Sequence, residues 1–206
     1  MPYEYRRVSP GEQAEIVENR RKRGYPFHAP PHPYRGSGWY LLTGTNFEHT
    51  SLMHTSDRRD EFEKRLIDAF HSIDVEIAGW VILPNHYHIL VVGVESFDNV
   101  SVVLKRLHGS TSREWNLADR MTGQRRVWYK FTDHGIRDEH HYYQVLNYIH
   151  YNPVKHGYVS TPYMWAWSSV HLYFDTKGRE WLRKTWKSYP IDNFGSGWDD
   201  SVVVHC

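Results

Sequence analysis

Cysteine is all but missing. Cys206, the last residue, is the only one in 206, so neither an internal disulfide nor a cysteine-ligated metal site can be built. No apolar stretch approaches the roughly 18–20 residues that span a bilayer; the longest is Ile89-Leu90-Val91-Val92. The first residues lack an apolar signal-peptide core, and with the lone cysteine this gives a cytoplasmic expectation with no membrane partner. An excess of charge is lacking too. Against 25 Lys and Arg stand 24 Asp and Glu, a net charge of +1, so any basic footprint for nucleic acid has to be local. Internal repeats and low-complexity runs are absent.

Histidine and aromatic side chains are plentiful: 15 His, nine Trp and an aromatic share of 16%. Imidazoles bind metals and rings stack on unpaired bases, but both also fill cores, so composition alone decides nothing. Ser9-Pro10-Gly11-Glu12 reads as a capping box opening a short helix that ends in Arg20, Arg21, Lys22 and Arg23. Tyr25 to Gly36, with Pro26, Pro30, Pro31 and Pro33, reads as an extended strap.

Regular patterning begins at Trp39, with a strand to Thr45. Phe62, Leu66, Ala69 and Phe70 form a helical stripe on a helix starting near Ser56. Val75, Ile77, Val81 and Leu83 share one parity and predict a second strand, broken at Pro84-Asn85 and followed by a strand from His86 to Val94. Val100, Val103, Leu104 and Leu107 predict a helix, Val127 to Phe131 a fourth strand, and Asp138 to about Tyr151 a helix ended by Pro153. A short helix is expected around Arg179 to Trp186. The order contains the split β-α-β pattern of a ferredoxin-like α+β sandwich with an antiparallel sheet, carrying an N-terminal arm and strap (1–36) and a C-terminal tail (173–206).

Strand side chains alternate, so His86 and His88 emerge on one face about 6.5–7 Å apart while Tyr87 points the other way. Two imidazoles can then converge on one divalent ion, although a lone His-x-His pair is more often a pair of ordinary polar residues. On the last long helix Gln144, Tyr148 and Asn152 stand at i, i+4 and i+8 beside an apolar stripe of Tyr142, Val145, Leu146 and Ile149. A phenol with an amide one turn later suggests a nucleophile next to a metal ligand, because a nearby cation lowers the cost of ionising a phenol, although amphipathic core tyrosines are common and for Tyr148 alone that plainer reading is the better one.

The combination is more specific than its parts. Leu83-Pro84-Asn85-His86-Tyr87-His88-Ile89-Leu90, followed some sixty residues on by Asn147-Tyr148-Ile149-His150-Tyr151-Asn152-Pro153-Val154-Lys155-His156-Gly157, resembles the IS200-like transposase superfamily, and within it the REP-associated tyrosine transposases. The passage from Phe131 to Arg137 and the block Trp165-Ala166-Trp167-Ser168-Ser169 match as well. The resemblance covers about residues 37 to 172, which would form the catalytic domain; Tyr87 stands where the family has a plain aliphatic residue.

The resemblance implies a single-strand DNA endonuclease and strand transferase with Tyr148 as nucleophile, His86, His88 and Asn152 as metal ligands and Gln144 in support. Tyr151 is the less suitable tyrosine, its i+4 position being Lys155. Mg²⁺ or Mn²⁺ suits the donor set, although imidazoles also accept Zn²⁺ or Ni²⁺. The implied partner is single-stranded or hairpin DNA, tracked by Arg20 to Arg23, Lys105, Arg106, Arg113, Arg125 and Arg126. A monomer is expected, with a dimer as the alternative. Rival readings are a hairpin-binding protein that no longer cuts and a nicking enzyme of the replication-initiator or relaxase kind.

Overall fold

A computed structural model of the chain describes residues 38–192 together with Ser9, Gly11, Glu15, Phe194 and Gly195. The helix expected from Ser9, the Arg20 to Arg23 cluster and the Pro-rich strap therefore lie outside the described residues, apart from Ser9, Gly11 and Glu15. The chain divides into units Met1–Tyr34 and Arg35–Cys206, and the elements below belong to the second. In order they are β1 (Tyr40–Thr45), α1 (Ser56–His71), β2 (Glu76–Ile82), β3 (His86–Val92), α2 (Phe97–Ala118), β4 (Thr132–Gly135), α3 (Glu139–Lys155), α4 (Val170–Lys177) and α5 (Arg179–Ser188). The four strands form one antiparallel sheet in the order β2-β3-β1-β4, the α+β arrangement expected from the split β-α-β pattern.

Two apolar layers sandwich the sheet. On one face Phe62, Leu66 and Phe70 of α1 and Val100, Leu104 and Leu107 of α2 pack on Leu42, Tyr87, Ile89 and Val91. On the other, Val145, Leu146 and Ile149 of α3 pack on Leu41, Val81, Leu83 and Leu90. Each fully buried side chain of this size contributes about 1.5–3 kcal/mol. Central β3 is buried on both faces except at Val92, which is why its second half, Ile89 to Val92, reads as an unbroken apolar run. Gly44 is required where it stands, because a Cβ there would come within 2.6 Å of the Tyr87 ring.

Three expectations need correction. Val75, Ile77, Val81 and Leu83 do not share a face: a bulge between Ile77 and Gly79 shifts the register against β3. Val75 and Ile77 therefore join the α1–α2 layer while Val81 and Leu83 join the α3 layer. The fourth strand is Thr132–Gly135 rather than Val127 to Phe131. Val127, Trp128 and Phe131 are apolar because they fill the first core, whereas the edge strand beside β1 needs only backbone pairing and is polar. Finally, Pro153 does not end its helix. Helix α3 runs on to Lys155, the His156 amide donates to the Asn152 carbonyl at 3.0 Å, and Gly157 at φ 72° follows as the left-handed residue that closes a helix.

The Trp165 to Ser169 block closes the outer edge of β2. Ile82 N donates to Trp167 O and Ser169 N to Trp80 O, both at 2.9 Å, so an edge strand that would otherwise be open is capped by the chain itself. Trp165 Nε1 donates to Ile82 O at 2.9 Å and Trp167 Nε1 to Asp60 at 2.6 Å. The Arg59 guanidinium lies 3.7 Å from the Trp167 ring centroid, a cation–π contact.

Candidate active site

Strand β3 and helix α3 hold the predicted residues against each other. Alternation sends Tyr87 into the α1–α2 layer, where its hydroxyl lies 2.9 Å from His108 Nε2, and turns His86 and His88 toward α3. The two imidazole rings are 5.1 Å apart and nearly perpendicular. Helix α3 opens at Asp138, whose side chain accepts from the His141 amide at 2.7 Å. Its apolar residues Val145, Leu146 and Ile149 fix its rotation on the sheet. That rotation brings the Tyr148 ring to 5.2 Å from the His88 ring, and one turn later places Asn152 Oδ1 3.3 Å from His86 Nε2. Because the helix continues through Pro153, Asn152 keeps its i+4 relation to Tyr148.

Each histidine has an oxygen beside its Nδ1. His86 Nδ1 lies 2.7 Å from Asn85 Oδ1, and His88 Nδ1 lies 2.7 Å from the hydroxyl of Thr43, its register partner on β1. With Nδ1 protonated toward these oxygens, the lone pair of each ring sits on Nε2, the arrangement typical of metal-binding histidines. His86 Nε2 then faces the Asn152 amide oxygen, and two acceptors turned toward each other suit a cation between them. Among the described residues no group of three His, Cys, Asp or Glu side chains is placed to hold a metal. Two imidazoles completed by an amide oxygen are therefore the donor set on offer.

Tyr148, His88 and Asn152 are wholly buried and His86 is 4% exposed. Part of the cover over Tyr148 comes from the tail. Phe194 packs on its ring at 5.8 Å, and Gly195, at φ 70°, lies so close that a Cβ there would collide with the ring, with Cζ at 2.9 Å. Lys155 Nζ sits 5.1 Å from the Tyr148 ring centroid and donates to the Gly195 carbonyl at 3.3 Å. The His156 ring is 5.0 Å from that of His86. Sequence reasoning gave no site role to Lys155, His156, Phe194 or Gly195. Lys155 and His156 carry a readable signal, lying at i+7 from Tyr148 and i+4 from Asn152 on one helix face; the two tail residues carry none.

Other expected residues stand apart from this cluster. Gln144 donates to Pro190 O at 3.2 Å and so ties down the tail. The Tyr151 ring packs edge-on against Trp186 at 5.0 Å. Lys105, Arg125 and Arg126 line a groove of about 430 Å³ between α2 and the segment 125–131, with Tyr129 and Phe131 in its wall. Within it Arg125 is ion-paired to Asp119 at 2.8 Å. The Arg126 guanidinium lies over Phe47, with its Nε–H given to Trp128 O at 2.9 Å. Arg106 and Arg113 are exposed on α2. Beside the cluster, His150 is wholly buried near Ser169 Oγ (3.4 Å), and burial pushes its pKa down to about 3.

No protein-family profile matches the chain. A Haemophilus influenzae protein described as a REP-associated tyrosine transposase is 31% identical over 142 residues, 65% of this chain and 80% of the relative. The REP-associated tyrosine transposase of Escherichia coli K12 is 27% identical over 141 residues, 66% of this chain and 78% of the relative. Among solved structures, that of a REP-associated tyrosine transposase bound to a REP hairpin shares the fold with a TM-score of 0.56 at 23% identity, covering 74% of this chain and 88% of the other. No described helix is long and apolar enough to cross a membrane. Identity and coverage together place the chain, as an enzyme, in the family of REP-associated tyrosine transposases.

Proposed function

We propose that this transposase is a metal-dependent single-strand DNA endonuclease and strand transferase that acts on REP-like hairpin DNA through a 5′-phosphotyrosine intermediate. The observation that carries the reading is the convergence of Tyr148 with His88, and of His86 with Asn152, from two elements far apart in sequence. A relative of the same fold bound to a REP hairpin supports the substrate class. His86, His88 and Asn152 would hold Mg²⁺ or Mn²⁺, which when bound would supply electrostatic stabilisation of the scissile phosphate.

The remaining chemistry belongs to the chain. Tyr148 loses its phenolic proton to water as it attacks. Its oxygen bonds to phosphorus while the bond to the 3′-oxygen breaks, and that oxygen takes a proton from water. A free 3′-OH and a 5′-phosphotyrosine result. A second 3′-OH can attack the phosphotyrosine and rejoin strands with no outside energy source. The rigid seat of α3 on the sheet holds the phenol in place for in-line attack. Exposed Lys105, Arg106, Arg113 and Arg126 would track phosphates sequence-independently, whereas Arg125 first has to leave Asp119. The protein would act as a monomer.

The test incubates the protein and its Tyr148→Phe variant with end-labelled hairpin strands from the flanks of its own gene in Mn²⁺, read on denaturing gels. A covalent adduct formed only by the unmodified protein is expected. Tight binding by both with no cut strand would instead establish a hairpin-binding protein that does not cut.

A further inference from the structure

We propose that the outer face of α5 is a second DNA-binding surface, one that grips the phosphate backbone of a duplex stem while the strand to be cut lies at Tyr148; this rests on the hairpin-DNA reading above. Arg179, Arg183 and Lys187 stand at i, i+4 and i+8 with Lys184 beside them, and all four are exposed. At 1.5 Å per residue the row is about 12 Å long. Glu180 is the one acidic residue beside them on this face.

Two contrasts give this face its meaning. Elsewhere Arg58, Arg65 and Arg125 are each ion-paired to a carboxylate of the chain, whereas among the described residues no ion pair involves the four cations of α5. Like charges one helical turn apart repel, so the row is a local cost that an external polyanion would relieve. The helix also turns its rings inward. Trp181 stacks on Tyr173 at 5.5 Å and 9°, Trp186 packs on Tyr151 and Tyr163, and Leu182 and Thr185 are buried. Surfaces that bind unpaired strands interleave cations with aromatic platforms. Here the rings are spent on the core and only charge faces out, which fits the regular phosphate rows of a duplex.

The helix is also fastened next to the nucleophile. The side-chain amide of Asn147, the residue before Tyr148, donates to Thr185 O at 3.1 Å and to Tyr189 O at 2.8 Å. DNA held on α5 is thus held to the same helix that carries the tyrosine.

The test measures binding of two labelled strands, a hairpin with a single-stranded flank and an unstructured strand of equal length, by fluorescence anisotropy across a salt series. The full chain is compared with a variant in which Arg179, Arg183, Lys184 and Lys187 are all changed to Gln. For the hairpin, affinity at 0.15 M salt should fall about tenfold or more, and the log–log salt slope should become shallower by about 2–4. For the unstructured strand the loss should stay under about threefold. Glu180→Lys should shift hairpin affinity the other way, by about threefold, a gain that mere damage to the fold could not produce. An unchanged hairpin slope, or equal losses on both strands, overturns the proposal. If instead the unmodified chain binds neither strand and forms no adduct, it is the hairpin-DNA reading itself that fails.

Discussion

Tyr87 and Tyr148 are both wholly buried, on opposite faces of one sheet, yet they are buried by different means. The Tyr87 ring lies on Gly44 and among Phe62 and Trp128, and its hydroxyl is taken by His108, itself stacked on Trp128 at 4.4 Å and 8°. These neighbours belong to the layer that α1 and α2 build on the sheet, and burial pushes its pKa well above the ordinary phenol value. Tyr148 has the sheet on one side, but beyond it lie a lysine and two residues of the tail. A tyrosine walled in by the core in the way of Tyr87 is architecture. The other is roofed partly by a tail beyond the last helix, the difference to expect if Tyr148 is the nucleophile proposed above.

The sharpest way to break that comparison is to remove each hydroxyl in turn. Tyr148→Phe should lower adduct formation on labelled hairpin strands about 10³-fold or more, while Tyr87→Phe leaves it within about threefold. Equal losses on denaturing gels would mean that the two tyrosines are not distinguished as described.

Stability should divide in the opposite sense. Tyr87→Ala is expected to cost about 3–5 kcal/mol, and Tyr87→Phe about 1–2 kcal/mol because buried His108 loses its partner. Tyr148→Phe should cost under about 1 kcal/mol. Urea midpoints measure all three.

Two buried histidines, His108 on one face and His150 on the other, have their pKa values pushed down to about 3 by burial. An unfolded histidine titrates near 6.5, so below that pH the unfolded chain binds more protons than the folded one. The stability these residues allow is complete above about pH 6.5 and is lost as pH falls toward 3, by about 1.4 kcal/mol per pH unit for each. His150→Phe should lower the slope of unfolding free energy against pH in that window by up to about 1.4 kcal/mol per pH unit. An unchanged slope would show that His150 is not held neutral.

The smallest expected effect concerns the roof. Gly195→Ala places a methyl group against the Tyr148 ring at a positive-φ position and should lift the segment. Adduct formation then rises about two- to fivefold, a change of about 0.4–1 kcal/mol in the barrier. Single-turnover rates measure it, and a rate that does not rise would mean that this contact does not limit access.

The cluster was legible because it depends on two periodicities that sequence states directly. Strand alternation separates His86 and His88 from Tyr87, and the helical repeat sets Tyr148 over Asn152. The same rules misplaced β4, because Val127 to Phe131 is apolar for packing rather than for pairing, and they stopped α3 at Pro153, where tertiary packing outweighs one missing amide. The bulge in β2 left no mark in the parity of its apolar residues. The roles of α5 and of Phe194 and Gly195 were unreadable for another reason: they arise from contacts across some forty residues, such as Lys155 to Gly195 and Asn147 to Thr185, that no local pattern encodes.

That bulge makes β2 one residue longer than its partner requires. Ala78 and Gly79 both turn toward α3, and a Cβ at Gly79 would come within 2.8 Å of Leu146. Deleting Ala78 would restore simple alternation and leave Val75, Ile77, Trp80 and Ile82 on their present face. Deleting a residue after the bulge, such as Val81, would instead reverse the facing of the residues on one side of the gap. The strand therefore holds one dispensable position in a run that otherwise tolerates no change of length, and a relative shorter by one residue here could keep both cores and the histidine pair that follows.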